Sequence, residues 1–209
     1  MVKIFSIEGN IGSGKSTTVK RLQEVFKNDR KFVFLPEPVD QWNLIKDSQG
    51  VTILEKYYLD KKRYSFSFQM MAYITRLSQI KKCVETCNDD IIVITERCLY
   101  TDYYVFAKML YDQGLIEEIE YSIYKKWFSE FEEYTKVHGL IYISTTPEIC
   151  KDRITTRNRT GESVIDLEYL VECNRYHDEW IYKHNGKIIV LDGKSYIDLD
   201  KIVEFVKST

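Results

Sequence analysis

Proline and glycine are scarce in this chain, with 3 Pro and 9 Gly among 209 residues. That excludes a linker-rich or disordered polypeptide, whose composition leans on those residues. Long apolar runs are missing too, and none reaches the ~18 residues that a membrane span requires. Neither sign of charge dominates: 30 Lys+Arg stand against 32 Asp+Glu, a formal net charge of −2. A protein built to grip a nucleic-acid backbone carries a basic surplus, so neither nucleic acid nor a membrane is an expected partner. The five cysteines 83, 87, 98, 150 and 173 contain no Cys-x-x-Cys pair. An odd count at irregular spacing reads as reduced thiols and points to a cytoplasmic protein. Cys83 and Cys87 share a helical face, but no second ligand pair accompanies them to hold a metal. His138, His177 and His184 lack ligand or triad spacing and read as structural or surface residues. A strand from Lys3 and a loop from Gly9 leave no room for a signal or transit peptide.

What the chain does have is 44% hydrophobic residues over a length suited to one domain, residues 1–209. A chain of this size buries about 70% of its unfolded surface and needs no disulfide or metal to fold. Short apolar runs at 3–7, 31–35, 91–95, 140–144 and 188–191 read as strands. Helical spacing is expected over 16–27, 41–58 with a break near Gly50, 63–87, 100–112, 117–136, 147–157, 166–183 and 199–206. Strands alternating with helices predict a parallel α/β sheet covered on both faces, with ligands at the carboxyl ends of the strands.

One motif names a chemistry. Gly9-Asn10-Ile11-Gly12-Ser13-Gly14-Lys15-Ser16, followed by Thr17, fits G-x-x-x-x-G-K-[ST] between a predicted strand and a predicted helix. Such a loop (9–16) wraps phosphate oxygens in backbone N–H groups at the positive end of a helix. Lys15 is placed to reach the β- and γ-phosphates, and the Ser16 hydroxyl to face Mg²⁺. Glu96 ends the third apolar run on the same side of the sheet, where a carboxylate can hold Mg²⁺ through water, and Arg97 follows it. Glu37 stands between Pro36 and Pro38 at the end of the second strand, a fixed carboxylate suited to accept a hydroxyl proton. Gln69, Ala72 and Arg76 line one side of the long helix: an amide, a gap and a guanidinium that can read a planar heterocycle. Asp102 follows Glu96-Arg97 closely, where it can hold Arg76 in a bidentate pair, although a solvated helix face carries the same pattern. Arg153, Arg157 and Arg159 crowd a helix end and the loop after it, a cluster able to clamp phosphates and close as a lid over about 153–163.

Five segments, 7–17, 37–42 (Glu-Pro-Val-Asp-Gln-Trp), 66–69 (Phe-Ser-Phe-Gln), 96–102 (Glu-Arg-Cys-Leu-Tyr-Thr-Asp) and 153–159 (Arg-Ile-Thr-Thr-Arg-Asn-Arg), together resemble the deoxynucleoside kinases. The branch they resemble phosphorylates deoxycytidine, deoxyguanosine and deoxyadenosine. The resemblance runs from about Lys3 to Asp192. It implies the P-loop kinase fold, a five-stranded parallel sheet in the order 2-3-1-4-5 with helices on both faces and an arginine-rich lid. It also implies ATP with Mg²⁺, a deoxynucleoside acceptor and a homodimer. By resemblance, Glu37 is the base on the 5′-hydroxyl and Arg97 steadies the reacting oxygens. Trp42, Leu54, Phe68 and Phe106 wall the base pocket, with Phe106 stacked on the ring, and Gln69 bonds the base. Tyr58 and Glu162 hold the sugar 3′-hydroxyl. Arg153, Arg157 and Arg159 match lid arginines, and Asp192 begins the loop that covers adenine. Ala72, Arg76 and Asp102 match the deoxycytidine and purine branch, since thymidine-accepting members carry a larger apolar residue at Ala72 and lack the Arg–Asp pair.

Cys98, Gly161 and Asp166 depart from the family pattern at a serine, an acidic residue and a proline, which bears on lid detail and substrate range. A thymidine-preferring or broad-range kinase is the alternative within the family. A thymidylate-type kinase needs cationic groups for an acceptor phosphate, where this chain offers Glu37 and Glu162. A GTP-dependent switch needs N-K-x-D, which is absent, and no predicted strand precedes the D-x-x-G at 47–50.

Overall fold

The computed structural model describes residues 2–87, 90–134, 136–159 and 161–209, with Ser163 described by its backbone alone. Thr135 in the expected helix 117–136 and Thr160 in the expected lid lie outside the described residues. Five parallel strands form one sheet: β1 (Lys3–Glu8), β2 (Phe32–Leu35), β3 (Ile92–Glu96), β4 (Gly139–Ser144) and β5 (Ile188–Asp192). Their order is β2-β3-β1-β4-β5, as the sequence led us to expect.

The central strands β1 and β4 are buried almost end to end, which is why they read as unbroken apolar runs. Alternate residues face opposite layers: Ile4, Val93 and Leu140 belong to one core and Phe5, Ile94 and Ile141 to the other. The second core packs α1 (Lys15–Val25) and α10 (Leu199–Ser208) through Val19, Leu22, Ile202 and Val206. On the first face lie α4 (Lys61–Thr86), α7 (Glu118–Glu130), α8 (Pro147–Arg157) and α9 (Leu167–Lys183). No helix among the described residues is long and apolar enough to cross a membrane.

Register places the site. Ile7 pairs with Glu96, and Leu35 with Thr95, so Glu8, Glu96 and the Pro36–Pro38 turn leave the sheet at the same end.

Three expected helices differ in detail. The 41–58 segment is two helices, α2 (Val39–Leu44) and α3 (Ile53–Leu59), separated by a turn with Gly50 at φ 82° and restarted by a Thr52–Glu55 capping box. The 100–112 segment runs as α5 (Leu99–Thr101), a π-helical stretch Asp102–Ala107, and α6 (Lys108–Asp112). The 117–136 segment ends as a helix at Glu130 and continues as a 3-10 turn, Glu132–Tyr134.

Candidate active site

The loop between β1 and α1 has Gly9, Gly12 and Gly14 all at positive φ (141°, 81° and 105°). A Cβ on Gly12 would stand 2.5 Å from the Cys150 carbonyl oxygen, so the loop closes only with glycine there. Gly14 caps α1 without any side-chain hydrogen bond, and the first turn holds no acidic residue. The leading amides and the positive end of the helix are left for an anion.

Lys15, only 5% exposed, donates from Nζ to the Asn10 carbonyl at 2.8 Å. Burial and the neighbouring Arg97 charge lower its pKa to about 8, against the pull of Glu96, Glu37 and Glu8. Ser16 Oγ donates to Glu96 Oε1 at 2.7 Å, joining the loop to the end of β3.

These residues form one end of a cavity of about 580 Å³. Its wall gathers Ile11, Gly12, Gly14, Lys15, Ser16, Thr17, Glu37, Glu96, Arg97, Arg153, Arg157, Arg159 and Glu162. The other end is walled by Trp42, Leu54, Tyr58, Phe68, Gln69, Ala72, Arg76, Asp102 and Phe106. Gly9, Asn10, Ser13 and Asp192 stand outside this wall. Asn10 Nδ2 donates to the Leu170 carbonyl of α9 at 2.8 Å, while Asp192 accepts from the Lys194 amide at 2.9 Å.

Glu37 meets two guanidiniums, with Arg97 Nε at 3.2 Å and Arg76 Nη2 at 3.7 Å from Oε1. Burial pushes its carboxyl up, but Arg97, Arg76 and Lys15 outweigh burial and hold it below the ordinary glutamate value. Arg76 also donates from Nε to Asp102 Oδ2 at 2.8 Å, from Nη2 to Oδ1 at 3.4 Å and from Nη1 to the Glu96 carbonyl at 2.7 Å. The bidentate pair is the expected one; the contacts to Glu37 and Glu96 are additional. Burial opposes Arg76's charge, yet Asp102 and Glu37 hold its pKa above the ordinary arginine value. The π-helical turn sends both Asp102 and Phe106 into the wall.

The apolar wall is built of rings packed on one another. Trp42 lies edge-on to Phe68 at 5.3 Å and donates from Nε1 to Thr75 Oγ1. Gln69 is 2% exposed, and its Oε1 has no partner among the described residues. A buried amide carbonyl without a partner costs free energy until a ligand donor meets it.

The three arginines of the expected lid diverge. Arg153 donates to the backbone carbonyls of Ser13 and Gly193 at 3.2 and 2.7 Å, tying the phosphate loop to the end of β5. Arg157 and Arg159 both pair with Glu162, which is 4% exposed. Gly161 takes φ 85°, a conformation an acidic residue adopts only with strain, and Asp166 caps α9 by accepting from the Tyr169 amide. Cys98 is buried and starts α5 beside Thr101.

The deoxynucleoside kinase family model matches residues 5–208. The chain belongs to that family. It is similar to deoxycytidine kinase 2 of Gallus gallus, 33% identical over 95% of this chain and 84% of the relative. A probable deoxycytidine kinase of Fowlpox virus (strain NVSL) is 34% identical over 88% and 73%. The mitochondrial deoxyguanosine kinase of Xenopus laevis is 32% identical over 90% and 76%. The protein is thus an ATP-dependent deoxynucleoside kinase.

Sequence reasoning did not single out Tyr57, Tyr169 or His177 for this cavity. Tyr57 and Tyr169 line the cavity and share a hydrogen bond at 2.8 Å between their hydroxyls. His177 is fully buried against Arg97, with Nε2 3.1 Å from Nη1. Its signal was there: on the face of α9 made by Leu170, Cys173 and Ile181 it is the one ionisable imidazole, and a buried polar ring needs a partner.

Proposed function

We propose that this kinase moves the γ-phosphoryl group of ATP to the 5′-hydroxyl of deoxycytidine, deoxyadenosine or deoxyguanosine, within one domain whose lid is the 153–163 segment. The observation that carries the base choice is the partnerless Gln69 Oε1, set beside Ala72 and the Arg76–Asp102 pair. An amide that both accepts and donates suits the amino group and adjacent ring nitrogen of cytosine or adenine. Arg76, held in place by Asp102, offers a donor to a ring or carbonyl acceptor, and Ala72 leaves room for a bicyclic base. Trp42, Leu54, Phe68 and Phe106 sandwich the base, and Tyr58 and Glu162 hold the sugar.

At the other end the backbone amides of 9–16 and the Lys15 ammonium hold the phosphates, with Arg153, Arg157 and Arg159 closing on the transferred group and Asp192 near the adenine. Ser16 and Glu96 present hard oxygen donors 2.7 Å apart, which fits Mg²⁺ that keeps several waters and takes the rest of its ligands from phosphates. When bound, that ion supplies charge neutralisation to the β- and γ-phosphates. Glu37 accepts the hydroxyl proton. A carboxylate with a lowered pKa stays ionised and so is free to take the proton as the hydroxyl attacks. Arg97 beside it steadies the reacting oxygens.

The same reading makes the enzyme a cytoplasmic homodimer. Ile119, Ile123 and Trp127 form an exposed i, i+4, i+8 stripe on α7, with Ile74 of α4 also exposed, a patch suited to a second copy. Sedimentation of wild type against Ile123→Lys tests this, with dimer and monomer the expected species. The substrate reading is tested by kcat/KM for the four deoxynucleosides with ATP and Mg²⁺. Deoxycytidine and the purines are expected to lead; a preference for thymidine, or for thymidylate as acceptor, would overturn it.

A further inference from the structure

Arg97 sits in an unusual place. It follows β3 at φ 65°, a left-handed conformation rare outside glycine, and is 2% exposed. One edge of its guanidinium meets Glu37, and its face lies 4.8 Å over the Phe106 ring. What holds the other edge is the His177 ring, with Nη1 3.1 Å from Nε2.

The protonation of that ring follows from its other nitrogen. His177 Nδ1 is 2.7 Å from the Cys173 carbonyl oxygen, which only accepts, so Nδ1 carries the hydrogen. Nε2 is then a bare lone pair facing a donor that is always charged. Burial, then the Arg97 charge and that of Lys15, push the His177 pKa well below the ordinary histidine value, so the ring stays neutral. Phe106 edge-on at 6.0 Å and Tyr142 at 6.4 Å fix its plane. Nothing in such a pocket demands histidine for packing alone.

We infer that His177 is a positioning residue of the phosphoryl transfer: its Nε2 lone pair orients the Arg97 guanidinium so that Nε faces Glu37. This rests on the role proposed above for Arg97. It gives α9 a part in catalysis, because the helix leading out of the lid grips the phosphate loop through Leu170 and the Arg97 side chain through His177.

Two substitutions separate the two ring nitrogens. In His177→Gln the amide oxygen reaches the place of Nε2 and keeps the acceptor for Arg97. In His177→Asn the side chain reaches only the place of Nδ1 and keeps the Cys173 bond. The experiment measures kcat and both KM values for these, for Arg97→Ala and for the His177→Asn/Arg97→Ala double variant, with melting curves to score folding. His177→Asn is expected to lower kcat about 100-fold with KM values within about twofold, the mark of misplacement rather than lost binding. His177→Gln should recover most of that loss, and His177→Asn should add nothing once Arg97 is alanine. Equal kcat in the Gln and Asn variants, or full additivity with Arg97→Ala, would overturn the inference. Normal turnover in Arg97→Ala would instead overturn the role of Arg97 itself. Ring-nitrogen NMR of wild type needs no variant: a neutral ring protonated at Nδ1 is expected, and a proton on Nε2 would contradict the proposal.

Discussion

At the end of the cavity proposed for the phosphates, α1 starts at Gly14 with no side-chain cap; at the end proposed for the nucleoside, several polar side chains are tied to one another, while Gln69 Oε1 is left open. Arg76 is bound to Asp102, and Tyr57 to Tyr169. Around the site, α3, α4 and α9 close their starts with Thr52, Asp60 and Asp166, whereas α2 and α8, like α1, start without a side-chain cap. Backbone amides bind any phosphate, whereas a side-chain network can discriminate between bases. The cost is that such a network fails when one member is removed, because the partner is left charged and buried.

Substitutions at each end sharpen this contrast. The largest effect belongs to Glu37, where the two ends meet: Glu37→Gln keeps shape, and kcat should fall on the order of 10²–10⁴ with a much smaller change in nucleoside KM. Steady-state kinetics check it, and a near wild-type kcat would move the base elsewhere. At the phosphate end, Lys15→Ala should lower kcat by about 10²–10³ for every nucleoside alike, since it removes charge from the transferring group without touching the base. At the nucleoside end, Asp102→Ala should cost about 3–5 kcal/mol in denaturant unfolding, the penalty for a buried charge left alone.

The smallest effect is in pH. Lys15 is charged below about 8 and neutral above it in the free enzyme. Because kcat/KM reports free-enzyme groups, kcat/KM for ATP should fall up to about tenfold per pH unit above that point. The kcat for saturated enzyme should hold to higher pH, since bound phosphates keep the proton on the lysine. An ATP kcat/KM that stays flat well above pH 8 would contradict the lowered value.

How legible each end was follows from the same contrast. The phosphate loop and the five strands were readable because glycine spacing and apolar runs are backbone demands with a compositional signature, whereas the strand order came only with the family resemblance. The break between α2 and α3 was visible at Gly50, but its extent depended on the Thr52–Glu55 cap. The π-helical turn at Asp102–Ala107 leaves no such trace, because an i→i+5 backbone bond depends on tertiary contacts rather than local residue type. The arginines 153–159 were read as a phosphate clamp. Their charges do not say that Arg153 reaches backbone carbonyls while Arg157 and Arg159 reach Glu162. The Arg76–Asp102 pair was legible only through the family resemblance, because residue spacing alone also fits a solvated helix face.

The most direct test is kcat/KM for four deoxynucleosides, with KM for ATP measured alongside, on wild type, Arg76→Met, Asp102→Ala and the double variant. The single variants should lose activity on all nucleosides. The double variant should regain part of it and shift preference from deoxycytidine and the purines towards thymidine, while KM for ATP stays put. If the double variant keeps the wild-type ranking, or if KM for ATP moves as far as the nucleoside constants, the base is not read by Arg76 and Asp102 and the two ends of the cavity do not divide the work as described.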